Sequence, residues 1–182
     1  MKVAFIGHKY VNNMEEVIQK IEQTLEKLIV EQGADEFLFV NHSQFESLCY
    51  DVVTRLKLRY QNIKRVYIGF PCEEIRKKHH RLLLSKYDRT EYPERLKRSG
   101  VMSIIRQNEA AVDMCDLLIT YYDKNYKTDF PYYEKINISY VSDGSQPQSE
   151  TKITLNYAFR KDKDFVNLFE DLKDSKYALI LD

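Results

Sequence analysis

The stretch FLFVNHSQFESL, residues 37–48, decides how the chain is read. A run of apolar residues ends at Val40, a polar turn follows, and Phe45 and Leu48 open a helical stripe. Strand, turn and helix in that order make half of a βαβ unit. Turns in this position of α/β proteins commonly hold a ligand phosphate on glycine backbone. The turn Asn41-His42-Ser43-Gln44 contains no glycine, so what it holds is the first functional question.

Working outward, residues 3–6 form a short apolar run closed by Gly7, the pattern of a buried parallel strand. Val17, Ile18, Ile21, Leu25, Leu28 and Ile29 then recur at spacings of three and four, and Gly33 stands where a left-handed helix cap belongs. Residues 36–40 read as a second strand. Cys49, Val52, Val53 and Leu56 continue the stripe of a second helix that ends near Tyr60, and residues 64–69 read as a third strand. This alternation requires right-handed crossovers and a parallel sheet. Residues 72–100 read as a basic excursion, helical around 75–84 and irregular afterwards; 101–115 read as helix and 116–122 as the fourth strand. The apolar–polar alternation of residues 135–141 predicts an antiparallel hairpin within an insertion over 123–148. A helix over 150–160, a strand over 164–168 and a small terminal helix or edge strand complete the pattern. The expected fold is α/β: one Rossmann-like domain over 1–182, with a parallel sheet flanked by helices on both faces.

Composition narrows the function classes. A chain of 182 residues with 43% hydrophobic content buries one core of ordinary size. Lys and Arg number 28, as do Asp and Glu, so there is no net field to draw in nucleic acid or an anionic membrane. The basic run from Arg76 to Arg98 reads either as a solvated face or as a surface for a protein partner. The cysteines Cys49, Cys72 and Cys115 are odd in number and widely spaced, which fits reduced thiols in a cytoplasmic protein. Neither a signal peptide nor a long apolar span is legible. Cys49 sits on an apolar stripe and reads as packing rather than nucleophile. His79 and His80 do not space with Cys72 as zinc ligands. No metal and no cofactor are implied. A tyrosine-rich apolar surface over residues 121–140 makes the chain a candidate homo-oligomer.

Candidate binding residues follow from placement, since ligands of doubly wound sheets sit beyond the carboxyl ends of the strands. Gly7 and His8 read either as a turn glycine and surface histidine, or as backbone and donor for a phosphate with Lys9 as counter-charge. Ser43 and Glu46 have capping-box spacing: the Ser43 hydroxyl would take the Glu46 amide proton, and the Glu46 carboxylate would return to the Ser43 amide. Occupied amides make a poor phosphate cradle. Asn41 and Glu46 therefore read either as a structural turn or as partners for ribose hydroxyls or a base edge. Asn108 and Asp113 need hydrogen-bond partners from a ligand or from the sheet edge. Ser149, Thr151 and Lys152 flank a helix start and read either as caps or as a phosphate contact.

Phe5-Ile6-Gly7-His8-Lys9, Val40-Asn41-His42-Ser43-Gln44-Phe45-Glu46, Gln107-Asn108 leading to Asp113-Met114-Cys115-Asp116-Leu117-Leu118-Ile119, and Ser149-Glu150-Thr151-Lys152 before Phe165-Val166-Asn167-Leu168 occur in one order. In that order and spacing the chain resembles the SLOG superfamily, the Rossmann-like group that includes the DprA and LOG proteins, and within it the small stand-alone bacterial members. The resemblance implies a parallel α/β sheet, frequent dimers and recognition of a nucleotide or nucleotide-derived small molecule. The LOG branch's Pro-Gly-Gly-x-Gly-Thr-x-x-Glu motif is absent, and its N-glycosidic hydrolysis is not carried over with the resemblance. Three expectations stand: a sensor or sequestering module for such a ligand, a hydrolase with Glu46 activating water, or a family member acting through protein contacts.

Overall fold

The structure, a computed structural model, describes residues 1–40, 42–70, 73–98, 103–126 and 149–169. Six strands form one sheet: β1 (Lys2–Gly7), β2 (Glu36–Phe39), β3 (Lys64–Ile68), β4 (Arg89–Glu91), β5 (Leu117–Tyr121) and β6 (Asp164–Asn167). Their order is β4-β3-β2-β1-β5-β6, and every pairing is parallel. Five helices connect them: α1 (Met14–Gln32), α2 (Gln44–Arg59), α3 (Glu73–Lys86), α4 (Ser103–Met114) and α5 (Glu150–Arg160). The chain winds outward from β1 to β4, then returns across the sheet to place β5 on the other side of β1. The connections therefore reverse between β1 and β5.

Alternation along the strands explains the layers. Val3, Phe5, Phe37, Phe39 and Ile119 pack with the α1 and α2 stripes, including Ile21, Leu25, Cys49 and Val52. Ala4, Ile6, Leu38, Val66 and Leu118 pack on the opposite face with Ala110, Ala111 and Val112 of α4 and Ala158 of α5. Helices thus cover both faces, and β1 is apolar throughout its middle because it is buried from both sides. Gly33 caps α1 in the left-handed conformation at φ 67°.

Some expectations need correction. The irregular loop expected before Gly100 contains β4, paired with β3, and a 3-10 turn at Glu94–Arg98. Three polar residues carry no alternation, so pairing alone makes this strand. Tyr121 is not surface: it is 4% exposed and belongs to the core. The expected hairpin at 135–141, most of the 123–148 insertion, and the segment from 170 lie outside the described residues. No helix among the described residues is long and apolar enough to cross a membrane.

Arg89 of β4 reaches over β3 to Glu36 of β2 through two bonds, Nη1 to Oε1 at 2.9 Å and Nη2 to Oε2 at 2.8 Å. The Arg89 guanidinium holds the Glu36 carboxyl below the ordinary glutamate range. A depressed folded-state value contributes stability above the unfolded value and loses it as pH falls through the folded one. Arg89→Met should therefore cost about 1 kcal/mol at neutral pH, discounted because the arginine is partly in water. It should cost less at acid pH, once Glu36 takes up its proton. Urea midpoints at the two pH values check this.

Candidate functional site

A pocket of about 290 Å³ opens where the connections reverse, the position at which doubly wound sheets take ligands. Its walls come from the end of β1 (Ile6 to Tyr10), the start of α2 (His42, Ser43, Glu46), α4 (Ile104, Asn108), Tyr126 after β5, and the start of α5 (Ser149, Glu150, Thr151). An open shelf lined by Lys9, Tyr10, His42, Ser43, Gln44 and Ser47 continues from it.

Of the sequence-selected residues, Gly7, His8, Lys9 and Ser43 line this pocket, as do Glu46, Asn108, Ser149 and Thr151. Asn41 lies outside the described residues. Asp113 is on the exposed side of α4, bonded to Arg95 and, at 2.8 Å, to the Tyr157 hydroxyl. It braces helices, not a ligand. Lys152 is exposed and outside the lining, because the roughly 100° step between adjacent helical residues turns it away from the wall that Thr151 joins. Sequence reasoning did not select Tyr10, His42, Ile104, Tyr126 or Glu150. His42 and Glu150 carried a usable signal, since each adjoins a selected helix cap at a strand end.

The β2–α2 turn answers the question raised by its missing glycine. Ser43 Oγ accepts the Glu46 amide at 3.2 Å, as a cap should. The other half of the expected box is replaced: Glu46 Oε1 accepts from Val40 N at 2.9 Å and Oε2 from His42 N at 2.7 Å. The carboxylate thus gathers turn amides that would otherwise be offered to a phosphate. The turn holds an anion, and the anion is its own.

Gly7 is required by packing. A Cβ there would lie 2.6 and 2.7 Å from Phe45 Cγ and Cβ, so only glycine lets the first turn of α2 settle against β1. The loop after β1 is fastened to the same helix. Val11 N donates to Gln44 Oε1 at 2.8 Å, and Gln44 N donates to Lys9 O at 3.2 Å.

His8 is 1% exposed, and its ring stacks on Tyr126 at 3.9 Å and 8°. Its Nε2 lies 2.9 Å from Asp123 N and 3.1 Å from Asp123 O, and the ring tautomer decides which of the two it bonds. Burial keeps the imidazole below the ordinary histidine range, outweighing the Asp123 backbone bond and charge. The neutral form is thereby favoured in a ring that lines the pocket.

Two further orientations are fixed by backbone carbonyls. Gln107 Nε2 donates to Ile68 O, so its Oε1 faces His42 Nε2 at 2.8 Å and must receive that ring's proton. His42 Nδ1 is left as an acceptor when the ring is neutral. On the other wall, Thr154 Oγ donates to Glu150 O at 2.8 Å and accepts from Asn108 Nδ2 at 3.3 Å. Asn108 Oδ1 is then turned away from Thr154. It is buried and has no hydrogen-bond partner among the described residues.

Burial raises the Glu150 carboxyl above the ordinary range, partly offset by His42 and Lys9 and reinforced by Glu46. Burial likewise raises the thiols, Cys115 to about 12, so Cys49 and Cys115 are inert packing. Among the described residues no group of three or more His, Cys, Asp and Glu side chains is placed to hold a metal ion.

No family match is found. Neither the protein-family models nor the curated proteins match this chain.

Proposed function

We propose that this protein binds a nucleotide-derived small molecule in the pocket at the β1–β5 reversal, as a sensing or sequestering module. The observation that carries the reading is the convergence of two strand ends and two capped helix starts on one hollow of about 290 Å³. That volume suits a base or nucleoside, and the adjoining shelf beside Lys9 gives the rest of such a ligand a place to lie. The SLOG resemblance supports the same class of ligand. Hydrolysis through Glu46 is the weaker reading, because both of its oxygens already accept turn amides.

Thermal denaturation with nucleobases, nucleosides, mono- and dinucleotides and ADP-ribose tests the proposal. At ligand on the order of 100 times Kd the melting temperature should rise by about 5–10 °C for at least one compound. Ile104→Trp, which fills the pocket from α4, should abolish the rise while leaving the unliganded midpoint close to wild type. Chromatography of the same mixtures should return the compounds intact. No shift with any compound, or a shift that survives Ile104→Trp, rejects the site.

A further inference from the structure

Deepening that reading, and resting on the same pocket, the character of the ligand's buried part follows from which polar atoms the walls leave over. Phosphate is poorly served. The amides of Val40 and His42 are taken by Glu46, and the amides of Glu46 and Lys152 by the hydroxyls of Ser43 and Ser149. A protein carboxylate stands in the first turn of each helix facing the hollow, so the positive ends of both helix dipoles are already compensated.

What is left over is mostly acceptor. The Glu150 carboxylate lines the pocket, and no hydrogen bond or ion pair engages it among the described residues. Asn108, 4% exposed, keeps an unpartnered Oδ1 because the Thr154–Glu150 chain fixes its amide the other way round. Buried acceptors without partners are costly, and a ligand that brings N–H donors removes that cost. The Asn108 atom is the independent observation, since it owes nothing to either carboxylate.

We infer that the buried part of this pocket takes a donor-rich group that is uncharged or cationic, an amidine-like or amino-heterocycle N–H edge received by Glu150, and turns anions away. Any anionic part of the ligand then lies outside, on the shelf beside Lys9. The aromatic rings of Tyr10 and Tyr126 supply flat walls for such a heterocycle.

Benzamidinium and benzoate have nearly one shape and opposite charge, so calorimetric or NMR titration of the two isolates the charge preference from any need for a nucleotide. Benzamidinium should bind at least about tenfold more tightly than benzoate, and Glu150→Gln should bring the ratio to within about threefold. Glu150 makes no side-chain hydrogen bond or ion pair among the described residues, so this variant should melt like wild type, and a matched midpoint confirms its fold. Equal or tighter binding of benzoate, a ratio unchanged in Glu150→Gln, or no binding of either probe at millimolar concentration overturns the inference. Nucleotide binding with benzoate favoured would leave the proposed function standing without it. Benzamidinium binding with no response to any nucleotide-derived compound would do the reverse.

Discussion

Phe45→Ala is expected to destabilise the protein by about 3–5 kcal/mol, the cost of emptying a fully buried phenylalanine site. Phe45 is 0% exposed, stacks on Tyr121 at 5.7 Å, and fills the space that the hydrogen of Gly7 leaves open. Gly7→Ala should also destabilise, by roughly 1–3 kcal/mol, because its new methyl meets the Phe45 side chain close to that residue's backbone, where little can yield. The informative quantity is the coupling. In the Phe45→Ala background the Gly7→Ala cost should fall without vanishing, since the ring is gone but the Cβ of residue 45, 2.7 Å from the new methyl, remains. A double-mutant cycle in urea reads this directly, and additivity within about 0.5 kcal/mol would show that glycine at the end of β1 serves something other than that ring.

Glu46→Ala should cost about 2–6 kcal/mol, because it deprives the Val40 and His42 amides of their acceptor, at roughly 1–3 kcal/mol for each donor left unsatisfied. The same change unmasks the turn. With its internal carboxylate gone, the β2–α2 turn becomes an ordinary anion site at a helix start. Sulfate at tens of millimolar should therefore restore part of the lost melting temperature in Glu46→Ala and do markedly less for wild type. Equal sulfate responses in the two proteins would mean that Glu46 is not what excludes anions there.

Much of the architecture is legible in residue periodicity. The period-3.6 stripes of α1 and α2 and the unbroken apolar runs of β1 and β5 each have one arrangement that buries them, and the alternation of the two fixes a parallel sheet. Arg89–Glu91 was not legible, because three polar residues become a strand only through the free edge of β3 beside them. The site divides in the same way. Backbone placement at strand ends pointed to Gly7, His8, Ser43, Glu46 and Ser149 without knowledge of any contact. The partners of Glu46 were not deducible, since capping spacing is satisfied equally by Ser43's amide and by the preceding turn, and only the path of that turn decides. Asp113 lies outside the pocket because a helix that faces it with Asn108 presents a residue five positions later to a different neighbour. Glu150 reads on paper as an obstacle to phosphate; its meaning as an acceptor emerges only once Thr154 and Asn108 fix the hydrogen-bond directions around it.

The clasp between the two strand-end loops, in which Gln44 accepts from Val11 and donates to Lys9, restricts how a molecule can reach the hollow. Parting those loops means breaking both bonds and prising the first turn of α2 from β1, where Phe45 is wedged. That rim behaves as a fixed jamb, with Ile104 and Tyr126 on the other walls of the hollow. A guest therefore gains little room on this side, and loosening the clasp should alter residence time before it alters the preference for one guest over another.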